Sequence, residues 1–282
     1  MLVVLKAGLY TSIQDLGRIG FRNYGVPVSG VMDTHHSKLA NHILGNDVHD
    51  AVLEITLQGP TLHFHESTQI AIAGADLSPK LNNKPVKLNS RITIAKGDVL
   101  EFGTRTYGVR AYLAVKNGFQ TGKVLKSYSF YEGITEKSRI EKGDLLNYAS
   151  FDAQAASHVT IAQRNTIFTN KEINVHKGPE FDLLSDKQQK TLLKSTFSIG
   201  LNNRMAYQLN ELLQNDLPSI ITSAVLPGTI QLTPSGKLIV LMKDCQTTGG
   251  YPRILQLDEI GMCMLAQKYT GETIKFKMIS IS

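Results

Sequence analysis

The sequence predicts a mostly-β protein with few helices, organised as a β-barrel or a β-sandwich and with enough residues for two β lobes. Two observations carry this prediction. Short apolar or alternating runs recur along the 282 residues, with glycine, asparagine and proline turns between them. Helical signals are confined to a few capped segments. An apolar content of 42% supplies enough core for one large domain or two smaller lobes.

Nine segments have the alternation or the short apolar run that is typical of strands. Their expected bounds are Thr61–Phe64, Gln69–Ala73, Arg91–Ile94, Val99–Phe102, Arg110–Val115, Ile220–Ser223, Ile230–Leu232, Leu238–Met242 and Thr273–Ile279. We expect one domain over residues 1–282, with a lobe boundary in the small and polar stretch 150–157.

Three helices are predicted from capping residues, because an Asp or Ser side chain can accept a hydrogen bond from a free backbone N–H of the first turn. Gly45 supplies the stop signal of the first helix. The expected helices are residues 34–44 after Asp33, 186–194 after Ser185 and 259–268 after Asp258.

Charge and composition exclude several classes of protein. The net charge is +6, but the lysines are scattered and form no stripe with aromatic residues, so we do not expect nucleic-acid binding. No apolar run approaches the length of a membrane span, so we do not expect a transmembrane helix. Lys6 and Gly8 interrupt the apolar start of the chain before the core of a signal peptide could form. Two cysteines without a CxxC spacing favour the cytoplasm.

Several catalytic motifs are absent from the sequence. Residues 118–124 resemble a P-loop but have the wrong spacing, and no GxGxxG or GxSxG motif is present. His63 and His65 alternate with Leu62 and Phe64, so on a strand both imidazoles would point the same way and could chelate a metal. A solvated strand face is the preferred interpretation, and no metal is assigned. Cys245 at a strand end is expected to pack as a small apolar residue.

The most informative segment is the polar loop after the predicted strand 238–242. Asp244 can act as a base or an orienting carboxylate. Arg253 can hold a carboxylate or a phosphate at two points. Gln246 and the hydroxyls of Thr247 and Thr248 offer hydrogen bonds, and Gly249 and Gly250 let backbone N–H groups approach a developing oxyanion. The structural alternative is a tight turn in which Asp244 and Arg253 form an ion pair.

A second segment near the N-terminus is also rich in glycine, hydroxyl and charged side chains. It contains Asp15, Arg18 and Ser29. A structural loop held by an Asp15–Arg18 pair and a role in a site are equally compatible with this composition.

Together these segments resemble the allophanate hydrolase subunit 2 family, also called the 5-oxoprolinase C-subunit or biotin-dependent carboxyltransferase-like family. The similarity extends over essentially the whole chain, and its most specific part is the string Gln-Thr-Thr-Gly-Gly-Tyr-Pro-Arg at 246–253. The matching segments, in family order, are 14–18, 25–30 with 32–33, 53–54, 74–77, 110–115, 178–180, 226–231 and 246–253.

The resemblance implies a cyclophilin-like barrel and an ATP-dependent 5-oxoprolinase that opens the lactam of 5-oxoproline to glutamate, with two partner proteins, a homologous B component and an A component. ATP would be the co-substrate of the complex. The resemblance implies a site formed by the catalytic residues Asp244, Gln246, Thr247 and Thr248 and the substrate-binding residues Gly249, Gly250, Tyr251, Arg253, Asp15, Arg18 and Ser29. Met242 and Lys243 are followed by Asp244 rather than methionine, so no biotin is expected on this chain.

Three departures from the family pattern bear on the substrate: Lys116-Asn117, the segment 125–130 without its expected arginine, and Ala206 in place of glycine. Two other functions are compatible with the resemblance. One is a carboxyltransferase component acting on urea or a related amide, and the other is a regulatory subunit that binds a kinase inhibitor.

Overall fold

The computed structural model describes residues 1–151 and 166–279, and it confirms the mostly-β prediction. The described residues form two compact units. The first comprises residues 1–18 and 29–151, and the second comprises 19–28 and 166–279. Most of the expected lobe boundary, residues 152–157, lies outside the described residues, and the single-domain assignment stays a prediction.

The first unit contains two antiparallel sheets. One has the strand order β11-β1-β4-β9-β6-β7, and the other has the order β2-β3-β10-β5-β8. The strands are β1 (Leu2–Lys6), β2 (Tyr10–Gln14), β3 (Val52–Thr56), β4 (Thr61–Phe64), β5 (Thr68–Asp76), β6 (Lys80–Leu81), β7 (Lys84–Pro85), β8 (Arg91–Ile94), β9 (Val99–Glu101), β10 (Tyr107–Val115) and β11 (Leu145–Leu146).

Helix α1 (Thr34–Leu44) packs against β5 and β10 in the first unit. The Asp33 side chain accepts a hydrogen bond from the backbone N–H of His36, and Gly45 ends the helix with a φ of 66°. Alternate residues of β5 serve different parts of the core: Ile70 and Ile72 pack in the cluster between the sheets, while Ala71 and Ala73 pack with α1. This alternation follows from the pleat of a strand.

The second unit is built around a closed seven-stranded barrel with the order β12-β19-β16-β17-β14-β13-β20, in which β12 and β20 form the parallel pair. A short pair, β15 with β18, accompanies the barrel. The strands are β12 (Glu172–Lys177), β13 (Phe197–Asn202), β14 (Ala206–Leu209), β15 (Ser223–Ala224), β16 (Thr229–Leu232), β17 (Leu238–Leu241), β18 (Thr248–Gly249), β19 (Arg253–Leu257) and β20 (Thr273–Met278). The helices are α2 (Thr166–Thr169), α3 (Asp186–Lys194) and α4 (Glu259–Ala266).

The helix predictions from caps agree closely with the structure. Ser185 and Gln188 form a capping box at the start of α3, and Asp258 accepts a hydrogen bond from the backbone N–H of Gly261 in α4. Helix α4 ends at Ala266 rather than at Lys268, because the backbone N–H groups of Gln267 and Lys268 bond to carbonyls three residues earlier and tighten the last turn.

The strand expected at 220–223 is wrong for most of its length, since only Ser223 belongs to a strand. The Ile221 side chain is 95% exposed, so burial does not stabilise an extended strand there. None of the helices in the described part of the chain has the length and apolar character needed to cross a membrane.

Candidate functional site

The loop 242–253 follows β17 and is anchored to the barrel at its start. Met242 and Cys245 are fully buried. The backbone N–H of Met242 donates to the carbonyl of Met205 at 2.8 Å, and that of Asp244 donates to the carbonyl of Arg204 at 2.9 Å. The turn between β13 and β14 therefore fixes the position from which the polar part of the loop extends.

Asp244 forms a two-point ion pair with Arg204. Nε of Arg204 lies 2.8 Å from Oδ2 of Asp244, and Nη2 lies 3.0 Å from Oδ1. The two side chains are 8% and 12% exposed. Both carboxylate oxygens of Asp244 are therefore occupied by charge-assisted hydrogen bonds from the guanidinium. This geometry favours an orienting role for Asp244 over that of a proton acceptor.

Arg253 is paired with Glu180, which lies after β12. Nε of Arg253 donates to Oε2 of Glu180 at 3.0 Å, and Nη2 donates to Oε1 at 2.7 Å. These hydrogen bonds lower the pKa of Glu180 below its ordinary value and raise the pKa of Arg253. Nη1 of Arg253 donates to the carbonyl of Ala224 at 2.9 Å. Among the described residues, these contacts occupy three of the five N–H donors of a guanidinium, so two are left for a ligand.

The structural alternative predicted an ion pair between Asp244 and Arg253. In the structure, Asp244 pairs with Arg204 instead, and Arg253 pairs with Glu180. Neither Arg204 nor Glu180 was predicted as a site residue. Arg204 lies in the turn between β13 and β14, and Glu180 lies in the turn after β12. Sequence spacing alone does not show which carboxylate meets which guanidinium.

Residues 247–251 form the exposed side of the loop. Thr248 and Gly249 make up β18 and pair with Ala224 and Ser223. The backbone N–H of Ile220 donates to the carbonyl of Gly250 at 3.0 Å. Tyr251 is 40% exposed. The structure therefore places these predicted residues together on one short ribbon.

Arg22 is a further residue of this region that sequence reasoning missed. It belongs to the stretch 19–28, which is part of the second unit. Its Nη2 donates to the carbonyls of Val225 and of Thr247, the latter at 3.2 Å. Its Nη1 is buried and has no hydrogen-bond partner among the described residues. Arg22 thus ties this N-terminal stretch to the start of β18.

Cys245 has the properties of a packing residue. It is fully buried in a small cluster with Val225 and Leu241. Burial raises the pKa of its thiol to about 11, although the neighbouring Arg22 opposes this shift. The thiolate is the nucleophilic form of cysteine, so a neutral buried thiol is chemically inert near neutral pH.

Asp15, Arg18 and Ser29 belong to the first unit and are nearly or fully buried there. Asp15 accepts hydrogen bonds from the hydroxyls of Ser127 and Ser129 at 2.6 and 2.7 Å. Nη2 of Arg18 donates to the carbonyl of Ser129. These contacts connect the N-terminal loop to the segment that departs from the family pattern, and their role in a site stays a prediction.

His63 and His65 of the first unit lie close together, but two side chains are fewer than the ligands of a typical metal site. His63 lies on β4, and the rings of His63 and His65 are 4.6 Å apart. Over residues 1–151 and 166–279, no group of three or more His, Cys, Asp or Glu side chains is arranged to hold a metal ion.

A groove of about 440 Å³ lies in the second unit beside the loop. Gln246 and Tyr251 line it from the loop, and Gln231 and Ile239 line it from β16 and β17. Gln231 is 2% exposed, and its Nε2 donates to the carbonyl of Tyr251 at 3.4 Å. Oε1 of Gln246 is buried without a hydrogen-bond partner among the described residues. Because this buried polar atom lies in a concave part of the surface, the groove is the candidate ligand-binding site of the second unit.

Comparison with known proteins decides the family. The family model described as "Carboxyltransferase domain, subdomain A and B" matches residues 24–278. The chain belongs to this family. Its relatives include the C subunit of 5-oxoprolinase from Escherichia coli K12, which is 32% identical over 288 aligned residues that cover 100% of this chain and 92% of the relative.

Two solved structures have the same fold as the whole chain. TTHA0988 superposes with a TM-score of 0.87 at 26% identity, covering 98% of this chain. The Kluyveromyces lactis urea carboxylase superposes with a TM-score of 0.85 at 28% identity, covering 99% of this chain. The chain spans 55% of the length of TTHA0988 and 27% of that of the urea carboxylase.

Proposed function

We propose that this carboxyltransferase-family chain is the C subunit of an ATP-dependent 5-oxoprolinase, a hydrolase that converts 5-oxoproline to glutamate. The observation that carries the proposal is the similarity to the C subunit of E. coli 5-oxoprolinase along the full length of this chain. The same relationship supports an assembly with two further proteins, an A-like and a B-like partner. Two free cysteines are compatible with a cytoplasmic location for this assembly.

Opening a lactam requires activation, because an amide carbonyl is a poor electrophile. In the proposed reaction the lactam oxygen takes the γ-phosphoryl group of ATP and ADP leaves. Water then adds to the activated carbon, the ring C–N bond breaks, and phosphate and glutamate are released. The protein's contribution is to hold the ring and stabilise the charge that develops on the oxygen.

The loop residues divide this work. Arg253 would bind the carboxylate of 5-oxoproline through the two N–H donors that Glu180 and Ala224 do not occupy. Gln246, Thr247 and Thr248 would hydrogen-bond the ring, with Gly249, Gly250 and Tyr251 shaping the approach. Asp244 would orient the loop through Arg204. ATP would be bound by the complex, and no biotin would be attached to this chain.

Reconstitution tests the proposal. ADP and glutamate formation should be measured with 5-oxoproline, ATP and the A-like and B-like partners, with and without this chain. We expect the two products to form in equal amounts only when the chain is present. Equal turnover without the chain would contradict a role in the enzyme.

A second candidate function is a carboxyltransferase component acting on urea or a related amide. The superposition of the urea carboxylase of K. lactis on 99% of this chain favours it. That function would require a biotin carrier and a biotin carboxylase on other chains. Urea-dependent and biotin-dependent ATP turnover would distinguish it from 5-oxoprolinase activity.

A further inference from the structure

The groove of the second unit lies on the outer face of the barrel. Tyr207, Ile230 and Val240 are fully buried on one side of β14, β16 and β17. Because successive side chains of a strand point to opposite faces, the groove-lining residues Gln231 and Ile239 point away from the barrel interior. The groove is therefore separate from the packed core.

Two carboxamides in this groove lack the hydrogen bonds that buried amides normally make. Gln246 has a buried Oε1, and neither its Oε1 nor its Nε2 is hydrogen-bonded within residues 1–151 and 166–279. Gln231 makes one contact, the long bond of 3.4 Å from its Nε2 to Tyr251, and its Oε1 accepts none within the same ranges. Leaving a buried acceptor such as Oε1 of Gln246 unpaired is costly, so this atom is positioned for a ligand that donates an N–H.

Position and packing hold Gln231 in place. A Cβ atom on Gly249 would lie 2.5 Å from Nε2 of Gln231, so the glycine leaves the space that the carboxamide occupies. The amide of Gln231 is thus fitted between β16 and the ribbon of the loop. This arrangement presents a fixed polar group rather than a mobile surface side chain.

The chemistry of the remaining lining selects an uncharged group. The described residues that line the groove carry amide, hydroxyl and apolar side chains, and none of them is ionic. Leu201 and Met205 form an apolar rim and are 76% and 48% exposed. A neutral polar group with a small apolar body matches these walls.

A primary carboxamide has a donor and an acceptor side by side, and two parallel hydrogen bonds form when the partner has the complementary pair on one edge. A cis amide, as in a lactam or a cyclic urea, has its N–H and C=O on the same edge. A trans amide has them on opposite edges and can satisfy only one atom of the carboxamide.

Arg253 provides the neighbouring charge. Its Cα is paired with that of Gln231 across β16 and β19, and directly opposed side chains of antiparallel strands lie on the same face. Two of its N–H donors lack an acceptor within the described ranges. A carboxylate attached to a ring in the groove would therefore meet a cation next to the ring.

We propose that the groove between the 246–251 loop and strands β14, β16 and β17 is the subsite for the cis-amide edge of a cyclic amide, with Gln246 and Gln231 as its specificity-determining residues. This inference deepens the proposed function and rests on it for the identity of the substrate as 5-oxoproline. Gln246 pairs with the amide edge, and Gln231 supplies the second acceptor. Arg253 distinguishes a carboxylated ring from a plain one.

Direct binding to the full-length chain tests the subsite. Nuclear magnetic resonance titrations would use 2-pyrrolidinone as a cis amide, N-methylacetamide as a trans amide of similar polarity, and 5-oxoproline. The variants Gln246→Met and Gln231→Met keep the side-chain shape and remove the polar atoms. Gln256→Met is the matched control, because Gln256 is a hydrogen-bonded glutamine of the same barrel that does not line the groove. Thermal melting would show that each variant is folded at the titration temperature.

We expect 2-pyrrolidinone to bind more tightly than N-methylacetamide, and we expect the Gln246 and Gln231 variants to weaken its binding by about ten-fold while the control does not. Absence of binding, equal binding of the two amides, or an equal loss in the control would overturn the subsite. If 2-pyrrolidinone binding depends on Gln246 but the reconstituted complex does not consume 5-oxoproline, the subsite stands and the proposed enzyme function fails. If the complex turns over 5-oxoproline and neither glutamine variant changes the rate, the proposed enzyme function stands and the subsite fails.

Discussion

The guanidinium of Arg253 and the carboxylate of Glu180 meet at two points, with nitrogen–oxygen distances of 3.0 and 2.7 Å, across a sequence separation of 73 residues. The pair joins the turn after β12 to the start of β19, and the side chains are only 18% and 14% exposed. It fixes the orientation of Arg253 and leaves part of its fork for a ligand.

This pair should contribute measurably to stability. Because a charge-assisted bidentate contact contributes roughly 1.5–3 kcal/mol per hydrogen bond when it is shielded, we expect Arg253→Met and Glu180→Gln each to lower the free energy of unfolding by about 1–3 kcal/mol. The double variant should lose less than the sum of the two. Urea denaturation measures all four proteins.

The chain offers a matched control for this coupling. Lys177 and Asp182 form a contact of 2.8 Å, but their side chains are 56% and 77% exposed. Exposed pairs contribute little, so the same double-variant cycle there should give almost no coupling. Equal coupling at the two sites would refute the importance of shielding at Arg253.

The pH dependence of stability follows from the lowered pKa of Glu180. A carboxyl whose pKa is lower in the folded than in the unfolded state stabilises the protein at pH values above its ordinary pKa, which is 4.5 for Glu180. This stabilisation is lost as the pH falls through the pKa of the folded state. The difference in melting temperature between wild type and Glu180→Gln should therefore be largest near neutral pH and shrink below pH 4.5. A difference that grows on acidification would show that the sign is wrong.

Gly249 and Gly250 should respond differently to substitution. In Gly249→Ala the new Cβ would lie 2.5 Å from Nε2 of Gln231, whereas in Gly250→Ala the nearest atom, the carbonyl oxygen of Ile220, is 3.6 Å away. We expect Gly249→Ala to displace the Gln231 side chain and to raise the KM for 5-oxoproline by about ten-fold, with a smaller effect of Gly250→Ala. Steady-state kinetics of the reconstituted complex provide the measurement. A larger KM effect at Gly250 would count against the role of Gln231.

The thiols should be unreactive in the folded chain. Cys245 and Cys263 are 0% and 1% exposed, and the pKa of Cys245 is raised to about 11. Since only the thiolate reacts, we expect almost no reaction with a disulfide reagent at pH near 8, and two thiols per chain after unfolding in guanidinium. One rapidly reacting thiol that disappears in Cys245→Ala would contradict the packing role.

The sequence predictions are accurate where the interactions that decide the structure are local in the chain, and they fail where distant residues decide it. The caps at Asp33 and Ser185 depend on bonds within three residues, and the helices that begin there were predicted with the correct bounds. The strand expected at 220–223 failed because local composition does not show that Ile221 remains exposed.

The candidate site divides in the same way. The polar loop 244–253 is visible as a sequence pattern, because its residues are neighbours in the chain. The partners of its charged residues are not visible, since Arg204 and Glu180 lie 40 and 73 residues away from Asp244 and Arg253. Gln231 resembles any other strand residue until the structure places it against Gly249.

The most direct test of the central claim is the rate of ADP formation by the complete complex with 5-oxoproline as the only amide, compared with urea in the presence of a biotin carrier and biotin carboxylase. A 5-oxoprolinase subunit predicts ATP hydrolysis that requires 5-oxoproline and this chain, with one glutamate formed per ADP. ATP turnover that requires urea and biotin, with none on 5-oxoproline, would contradict it.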